Sequence, residues 1–386
     1  MNVNVKKTKV VIFGKSRDPT NLPVVLFDNK PLEVVNEYKY LGCFVDKDLN
    51  FSFHIGAALK RAERASFSLF RCIGGFRNMK VSLKLRLYKT LVLSVLLFNV
   101  EVWGHLARKV DLRKLEKFHL SCLRRILMVG PAFPATAVFW MLGVVDLDTI
   151  IKQRTIKFLI TIKQKKELEL FSKTLEHIST FPNKLGTALR NLCISVNIPP
   201  ATFFPVLFHP PPANRLQKSL ESEFFSKTKN LIETNRKLKF LTTFLGSNHG
   251  PYPFLELNVQ QKIRRSVINF IGGCHHLRIE VGRWYRVPAS ARVCRLCDSG
   301  SLEDELHILL SCPHFSDQRE EMIMKLVREE GGLTPDSDDL MEKLRSQQSV
   351  KINLGLYQFL DYVMTEISSA HKEDENFRKE ASVFVI

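Results

Sequence analysis

The residues best suited to chemistry lie between Cys294 and Cys312, in the segment CRLCDSGSLEDELHILLSC. Cys297 and His307 complete the spacing C-x2-C-x9-H-x4-C. A Cys-x2-Cys turn can place two thiolates on one metal ion, and a His and a Cys about one helical turn apart can close the tetrahedron. Four such ligands, with no fifth candidate inside the loop, are typical of structural zinc rather than a catalytic metal. The alternative is a set of ordinary buried cysteines beside a hydrogen-bonded histidine.

The segment between the two ligand pairs predicts the element that holds the second pair. LEDELHILL is amphipathic at helical spacing, so we expect a helix from about Leu302 to carry His307 and Cys312. Ser301 and Asp304 are placed to cap this helix. Further residues nearby could replace a ligand, and these are Cys274, His275, His276 and His314.

The remaining cysteines and the apolar runs indicate the compartment. Cys43, Cys72, Cys122 and Cys193 stand in apolar contexts without pairing spacing. The N-terminal segment MNVNVKKTKVVIFG lacks the long apolar core of a signal peptide, and the run LVLSVLLFNVEVW is too short to cross a bilayer. We therefore expect a reduced, intracellular protein in the nucleus, the cytoplasm or both, and not a secreted one.

The positive charge is concentrated in the first part of the chain. Residues 1–166 carry 30 Lys and Arg against 12 Asp and Glu, which equals the formal excess of +18 for all 386 residues. A positive electrostatic field of this kind favours binding of a polyanion, and nucleic acid is the commonest polyanion in a cell. The alternative is a basic surface that only keeps the protein soluble.

The periodicity predicts a mainly α fold with a small N-terminal β portion (α+β). The β portion comprises a strand in KKTKVVIFGK, a hairpin turning at Asp28 to Pro31, and one further strand in NEYKYLGCFVDKDLN. Helical patterns follow at 51–76, 80–107, 110–129, 146–166, more weakly at 167–195, and then at 214–247, 256–272, 316–330 and 350–368. Residues 198–213, IPPATFFPVLFHPPPA, predict an extended strap.

Two sets of basic residues are candidates for contact with phosphates. The first set lies on the polar faces of the helices predicted at 51–76 and 110–129 and comprises Lys60, Arg61, Arg64, Arg71, Arg113, Lys114, Lys117, Arg124 and Arg125. The second is Arg292 and Arg295, which flank the predicted zinc site. The alternative for each residue is a solvated helix face.

Motifs for the common enzymatic chemistries are missing from this sequence. It contains no glycine-rich phosphate loop, no serine nucleophile elbow and no Cys/His nucleophile pair. Asp46 and Asp48 are spaced like metal-binding aspartates on a strand, but the context DKDLN indicates a turn. We predict no catalytic residue on this chain.

Several of these segments, taken in order, resemble the C-terminal portion of a non-LTR (LINE-type) retrotransposon reverse transcriptase. The segments are NVKKTKVVIFG, EYKYLGCFVD, VEVWG, LEKFHLSCLRRIL and GRWYRVPASARVCRLCDSGSLEDELHILLSCPHFSDQR. The resemblance implies that the first strand follows the catalytic palm hairpin and that Tyr40, Leu41 and Gly42 belong to a primer-grip-like strand. It also implies that the helices after this strand form the thumb and that the late cysteines form a CCHC zinc-binding end.

The resemblance divides the chain into six segments. They are an end-of-palm and primer-grip-like β segment (1–50), a thumb-like helical domain (51–166), a connection with the proline-rich strap (167–213), a helical C-terminal region (214–289), the zinc-binding element (290–320) and an acidic helical tail (321–386).

The polymerase aspartates of that family precede the first strand, so we expect no magnesium site and no RNA-directed DNA polymerase activity on this chain alone. The expected function is that of a truncated reverse transcriptase piece that binds RNA and DNA. One alternative is a non-catalytic part complemented by a palm on another chain, including the remaining parts of the reverse transcriptase. Another is a structural zinc protein that mediates protein interactions.

Overall fold

The computed structural model describes residues 8–13, 24–27, 29–75, 79–180, 183–195, 213–245, 248–330 and 350–373. These residues are mostly helical, with a few short strands near the N-terminus, so the predicted mainly α class is confirmed. The proline-rich strap lies outside the described residues except for its last position, Ala213. Much of the acidic tail also lies outside them. None of the described helices is long and apolar enough to span a membrane.

Three two-stranded pairings make up the β portion. Its strands are β1 (Lys9–Val10), β2 (Leu26–Phe27), β3 (Lys30–Pro31), β4 (Glu33–Val34), β5 (Glu37–Tyr40) and β6 (Cys43–Asp46). β1 pairs with β4 in parallel, and β2 pairs with β3 in the predicted hairpin, where Asn29 adopts a φ of 55°.

The predicted single strand over NEYKYLGCFVDKDLN is wrong, because the structure folds it into an antiparallel hairpin of β5 and β6. Tyr40 pairs with Cys43, and the two residues between them both have positive φ, 45° at Leu41 and 84° at Gly42. Positive φ at both central residues is the geometry of a tight hairpin turn whose twist matches the strands. Tyr40, Leu41 and Gly42 therefore form a turn rather than the middle of a strand.

Fifteen helical segments lie in the part of the chain that the structure describes. Their bounds are α1 (Ser52–Gly75), α2 (Val81–Tyr88), α3 (Ser94–Leu96), α4 (Val100–Trp103), α5 (Lys109–Leu127), α6 (Ala135–Leu142), α7 (Leu147–Gln164), α8 (Glu169–Thr180), α9 (Lys184–Ser195), α10 (Ala213–Thr234), α11 (Lys239–Leu245), α12 (Gln261–Ile271), α13 (Arg278–Trp284), α14 (Ser316–Glu330) and α15 (Val350–Glu373). Short 3-10 turns also occur, for example at Arg236–Leu238, and π-helical turns lie at Lys89–Leu93 and His307–Ser311.

The single helix predicted over 80–107 is also wrong. After α2 the chain widens into a π-helical turn, and Asn99 then adopts a left-handed φ of 52° that ends the helical run before α4. The Trp103 indole N–H donates to the carbonyl of Phe98 at 2.9 Å, so this break places a fully buried aromatic side chain. Asn tolerates the left-handed conformation better than most residues.

The chain forms two compact units, each assembled from separate stretches. The first comprises residues 1–69, 89–119 and 145–224, and the second comprises 70–88, 120–144 and 225–386. A core of the first unit joins α7, α9 and α10 through residues such as Ile160, Leu192 and Leu220. In the second, the Tyr357 hydroxyl of α15 donates to the carbonyl of Phe254 at 2.6 Å. The six-segment division drawn from the sequence stays a prediction.

Candidate metal centre and basic surfaces

A small β-hairpin presents the first ligand pair. The N–H of Cys294 donates to the carbonyl of Ser301 at 2.8 Å, and the N–H of Glu303 donates to the carbonyl of Arg292 at 2.9 Å. The loop closes through Gly300, whose φ of 67° favours glycine. Cys294 and Cys297 therefore lie at the start of a closed loop whose ends are held by backbone pairing.

The second ligand pair is held by a short π-helical turn rather than by the predicted helix from Leu302. Leu302 lies in the hairpin, opposite Val293, so the helical turn begins later. Asp304 caps it, because its Oδ1 accepts the N–H of His307 at 2.8 Å. The predicted cap at Ser301 is wrong, since the carbonyl of that residue belongs to the hairpin. The wide turn ends where the N–H of Cys312 donates to the carbonyl of His307 at 2.7 Å.

The four predicted ligands meet in one cluster. Their ligand atoms all lie within 4.8 Å of one another. The Sγ atoms of Cys294 and Cys312 are 3.9 Å apart, and Sγ of Cys297 is 3.4 Å from Nε2 of His307. Around a tetrahedral zinc with ordinary bond lengths, two sulfurs lie about 3.8 Å apart and a sulfur and a nitrogen about 3.6 Å. The donor set and its spacing fit a zinc ion.

Burial makes the cluster a closed site. Cys294, His307 and Cys312 are buried, and Cys297 is half-buried. Burial raises the pKa of the Cys294 and Cys312 thiols and lowers the pKa of His307, so these ligands favour their neutral forms. Burial by itself also raises the pKa of the Cys297 thiol, but hydrogen bonds from Ser299 outweigh that effect and lower the pKa. A zinc ion would be the charge that stabilises the thiolates.

Two neighbours fix the second ligand pair. Nδ1 of His307 lies 3.2 Å from Oγ of Ser311, which leaves Nε2 facing the thiols. The guanidinium of Arg319, on α14, donates to the carbonyls of Ile308, Leu309 and Cys312 at 3.2, 2.9 and 2.8 Å. The carbonyl groups at the end of the π-helical turn are thereby satisfied from a separate helix.

The four spare ligands named from the sequence lie outside this cluster and have other contacts. His275 is 3.0 Å from the Glu305 carboxylate, and His276 stacks on His371. His314 packs edge-on against Phe315. Burial raises the pKa of the Cys274 thiol, which lies beside Lys237. Among the residues that the structure describes, the metal-ligand cluster consists of the four predicted residues.

Arg292 and Arg295 make internal contacts. Arg295 donates to the fully buried Glu303 carboxylate at 2.7 Å and to the carbonyl of His276 at 2.6 Å, with its side chain 7% exposed. The guanidinium of Arg292 donates to the carbonyls of Val287 and Ile279. Arg295 is thus almost fully buried and Arg292 donates to backbone carbonyls, so both guanidinium groups brace the zinc element, and their contact with phosphate stays a prediction.

The basic residues of α1 and α5 fall into two groups. Lys60, Arg64, Arg71, Arg113 and Lys117 are exposed, and no ion pair of theirs occurs within the described ranges.

The other four are engaged or partly covered. Lys114 pairs with the buried Asp111 at 3.1 Å, and Arg125 lies over the Phe70 ring. Arg124 donates twice to the carbonyl of Phe133, and Arg61 is half-buried. Lys114 and Arg125 are also exposed, but the first group combines exposure with the lack of an ion pair in the described ranges, which leaves it better placed to reach an external phosphate.

The turn at Tyr40, Leu41 and Gly42 is exposed. Tyr40 is 64% and Leu41 76% exposed, and a Cβ at Gly42 would lie 2.8 Å from the Phe98 ring. Nearby, the carboxylate of Asp46 accepts the backbone N–H groups of Asp48, Asn50 and Phe51. The interpretation of this aspartate as a turn residue is confirmed.

Three residues that support the metal cluster were missed from the sequence, namely Glu303, Ser311 and Arg319. Ser311 carried a usable signal, because it lies four residues after His307 on the same helical turn. Glu303 and Arg319 carried none, since a charged residue in a polar run gives no sign of its partner.

Comparison with known proteins finds two related polymerases, each over about half of this chain. Over 192 residues, the chain is 27% identical to the RNA-directed DNA polymerase from mobile element jockey of Drosophila funebris. The aligned region is 49% of this chain and 19% of that polymerase. Over 203 residues, it is 24% identical to the polymerase of the same name from Drosophila melanogaster, and this region is 52% of the chain and 20% of that polymerase. These similarities support a relationship to LINE-type reverse transcriptases. The matches span about a fifth of the relatives' length. No protein-family model and no solved structure matches the chain.

Proposed function

We propose that this chain is a nucleic-acid-binding part of a LINE-type reverse transcriptase, without a polymerase centre of its own. It binds an RNA–DNA duplex or template RNA through phosphate contacts made by thumb-like helices. The zinc ion has a structural role, and Tyr40, Leu41 and Gly42 form the tip of a primer-grip-like hairpin.

The observation that carries this proposal is the group of exposed cations on α1 and α5. Lys60 and Arg64 stand one helical turn apart on α1, and Arg113 and Lys117 stand one turn apart on α5. Each pair extends into solvent from a helix whose other face is buried, as Ala62 and Leu115 show. Cations repeated at this spacing suit the regular charge of a phosphate backbone, and they read no base sequence.

The buried Asp111 supports this arrangement from below. Its carboxylate accepts the Ser52 hydroxyl at 2.8 Å, which ties the start of α1 to the start of α5. Arg108 and Lys114 donate to the same carboxylate at 2.9 and 3.1 Å. Burial by itself raises the pKa of the Asp111 carboxyl, but these hydrogen bonds outweigh that effect and lower the pKa, so the carboxylate stays charged at neutral pH. The two basic helices are therefore anchored at one point within the first unit.

The similarity to the jockey polymerases agrees with nucleic acid as the partner of this surface. The activity in their name, RNA-directed DNA synthesis, uses an RNA template and yields a DNA product. In this proposal the present chain contributes binding, and the carboxylates that hold magnesium lie elsewhere in the full polymerase.

The test measures the affinity of the full chain for a labelled RNA–DNA duplex at several salt concentrations. We expect Lys60→Glu with Arg64→Glu, and separately Arg113→Glu with Lys117→Glu, to weaken binding at least tenfold at low salt. Each lost phosphate contact should reduce the slope of log Kd against log salt by about one. Lys262→Glu with Arg265→Glu, an equal charge change on α12, serves as the matched control.

Equal loss in the control and in both helix variants would mean that only net charge matters, and the proposed surface would be wrong. Templated DNA synthesis by the purified wild-type chain with magnesium or manganese would contradict the absence of a polymerase centre.

A further inference from the structure

The second unit contains a cavity of about 730 Å³ beside the zinc element. Three parts of the chain form its walls: the turn from Asn235 into α11, the helix α13, and the segment Leu302 to Leu306 between the two ligand pairs. A sphere of this volume is about 11 Å across, which suits a short piece of one nucleic-acid strand. A duplex is too wide to enter, because its major groove, which is only part of its circumference, is already about 12 Å wide.

The walls of the cavity are basic. Five cations line it, and they are Arg236, Lys237, Lys239, Arg283 and Arg292. Two carboxylates also line it, but both already accept hydrogen bonds. Asp304 caps the π-helical turn, and the Glu305 carboxylate accepts from His275 at 3.0 Å.

Two of the cations are available to a ligand. The side chains of Arg236 and Lys239 are exposed, and within the described ranges neither has a hydrogen bond or ion pair. Arg283 is partly neutralised by the buried Glu280, and it also donates to the carbonyl of Arg236 at 3.1 Å, which holds the turn that carries the free cations. The hydrogen bonds of Arg292 go to backbone carbonyls, which are neutral and therefore do not offset its positive charge.

Two glycines let the walls approach one another closely. A Cβ at Gly282 of α13 would lie 2.5 Å from Nε of Arg292, so the helix surface there is free of a side chain and the guanidinium packs against it. A Cβ at Gly273, where φ is +64°, would lie 2.5 Å from the carbonyl of Lys237. The Arg292 guanidinium and the backbone of the turn at Lys237 are therefore positioned by close packing before any ligand binds.

The remaining lining is apolar. Phe240, Ile279, Leu302 and Leu306 contribute to it alongside the cations. Single strands bind where cations follow the phosphates and aromatic side chains stack on the bases, and Phe240 is the aromatic member of this lining. A lone inorganic anion would gain nothing from the apolar part of the wall.

We propose that this cavity binds a segment of single-stranded nucleic acid, with Arg236 and Lys239 on its phosphates. The inference rests on the proposed nucleic-acid function and adds a second binding site, separate in residues from the α1 and α5 surface. It also gives the zinc element a role, because the metal ligands fix the loop that forms one wall.

The test uses the full chain and a fluorescein-labelled oligouridylate, with affinity measured by anisotropy over a range of salt. We expect Arg236→Glu with Lys239→Glu to raise Kd about tenfold or more at low salt and to reduce the salt slope by about 1.4, which is two single-strand contacts. Arg236→Gln with Lys239→Gln should act in the same direction with a smaller effect. Lys262→Glu with Arg265→Glu makes the same change in net charge outside the cavity lining, although Lys262 pairs with Asp361 at 4.0 Å, and it should change Kd less than about threefold.

The outcomes separate the two proposals. If the Arg236 and Lys239 variants bind the oligonucleotide as the control does, the cavity is not the site, whatever the α1 and α5 variants do. If those helix variants still lose duplex affinity in that case, the proposed function stands alone. If the wild-type chain binds neither the oligonucleotide nor the duplex, both proposals are wrong. Unchanged melting temperature and metal content in each variant establish that folding is intact.

Discussion

The guanidinium of Arg319 donates to the carbonyl of Cys312 at 2.8 Å, which ties α14 to the last metal ligand. Arg319 reaches the carbonyls of Ile308 and Leu309 as well, so one side chain satisfies three acceptors at the end of the π-helical turn. Burial lowers the pKa of Arg319, and the nearby Cys312 opposes this effect. A thiolate at Cys312 would therefore have a cation beside it, and the closed site depends on a residue outside its own loop.

Replacement of Arg319 should loosen the metal element locally. Arg319→Ala removes a charged donor from three carbonyls, of which that of Cys312 keeps the N–H of Phe315, so we expect a loss of about 2–3 kcal/mol and faster amide exchange over residues 307–315. Arg319→Lys should recover part of this, because an ammonium cannot reproduce the planar fork. Hydrogen exchange by mass spectrometry checks the prediction, with the exposed Arg265→Ala as control. Unchanged exchange in Arg319→Ala would show that this clamp does not hold the turn.

Two glycines of the first unit should respond to alanine in opposite directions. Gly42 has a φ of +84° and its Cβ would meet Phe98 at 2.8 Å, so Gly42→Ala should lower stability by about 1–2 kcal/mol. Gly56 lies inside α1 with nothing within 4 Å of its Cβ, so Gly56→Ala should raise stability by about 0.5–1 kcal/mol. Thermal or urea unfolding measures both. A stabilising Gly42→Ala would contradict the tight turn at the hairpin tip.

Glu116 should make the stability of the first unit depend on pH. Burial raises the pKa of its carboxyl from an ordinary 4.5 to about 7, and the Asp146 carboxylate adds to the effect. A carboxyl whose pKa is higher in the folded state favours folding when protonated, so this contribution is present below about pH 4.5 and is lost as the pH rises through about 7. The loss amounts to up to about 3 kcal/mol.

The variant Glu116→Gln removes this dependence. Its amide oxygen can still accept the N–H of Leu147, which donates to the carboxylate at 3.0 Å in the native chain. We therefore expect higher stability than wild type at pH 8 and nearly equal stability at pH 4.5, as followed by urea unfolding. Glu63→Gln on α1 is the exposed control. The same stability difference at both pH values would exclude titration of Glu116 as the cause.

The sequence predicts those parts of the molecule that local chemistry determines. The bounds of α1 and α5 follow from apolar side chains at helical spacing, and the metal cluster follows from the spacing of Cys294, Cys297, His307 and Cys312. The four ligands are predictable because cysteine and histidine at these intervals have few roles other than metal binding.

Other features depend on partners that are distant in sequence. The run before Trp103 is apolar on every side, so its periodicity gave no sign of the break at Asn99. α6 and α13 were missed because the first is almost wholly apolar and the second is short. The sequence makes Arg295 a candidate for contact with phosphate, and no spacing rule identifies the buried Glu303 with which it pairs.

Metal removal should act on one element and spare the first unit. Backbone pairing, the Asp304 cap and the Arg295 and Arg319 contacts support the loop from Cys294 to Cys312, and the four ligands join its two ends. Chelation should therefore raise amide exchange over about residues 290–315 and weaken oligonucleotide binding, while α1, α5 and α7 keep their protection. Loss of protection throughout the first unit would show a wider dependence on the metal.

The most direct measurement is the metal content of the natively purified chain, by elemental analysis and native mass spectrometry. The account predicts one zinc per molecule, and it predicts loss of that zinc in the double variant Cys294→Ser with Cys312→Ser. The pair Cys43→Ser with Cys193→Ser, two buried thiols of the first unit, should retain it. A folded chain without metal, or full zinc occupancy after any two of the four ligands are changed, would contradict the account.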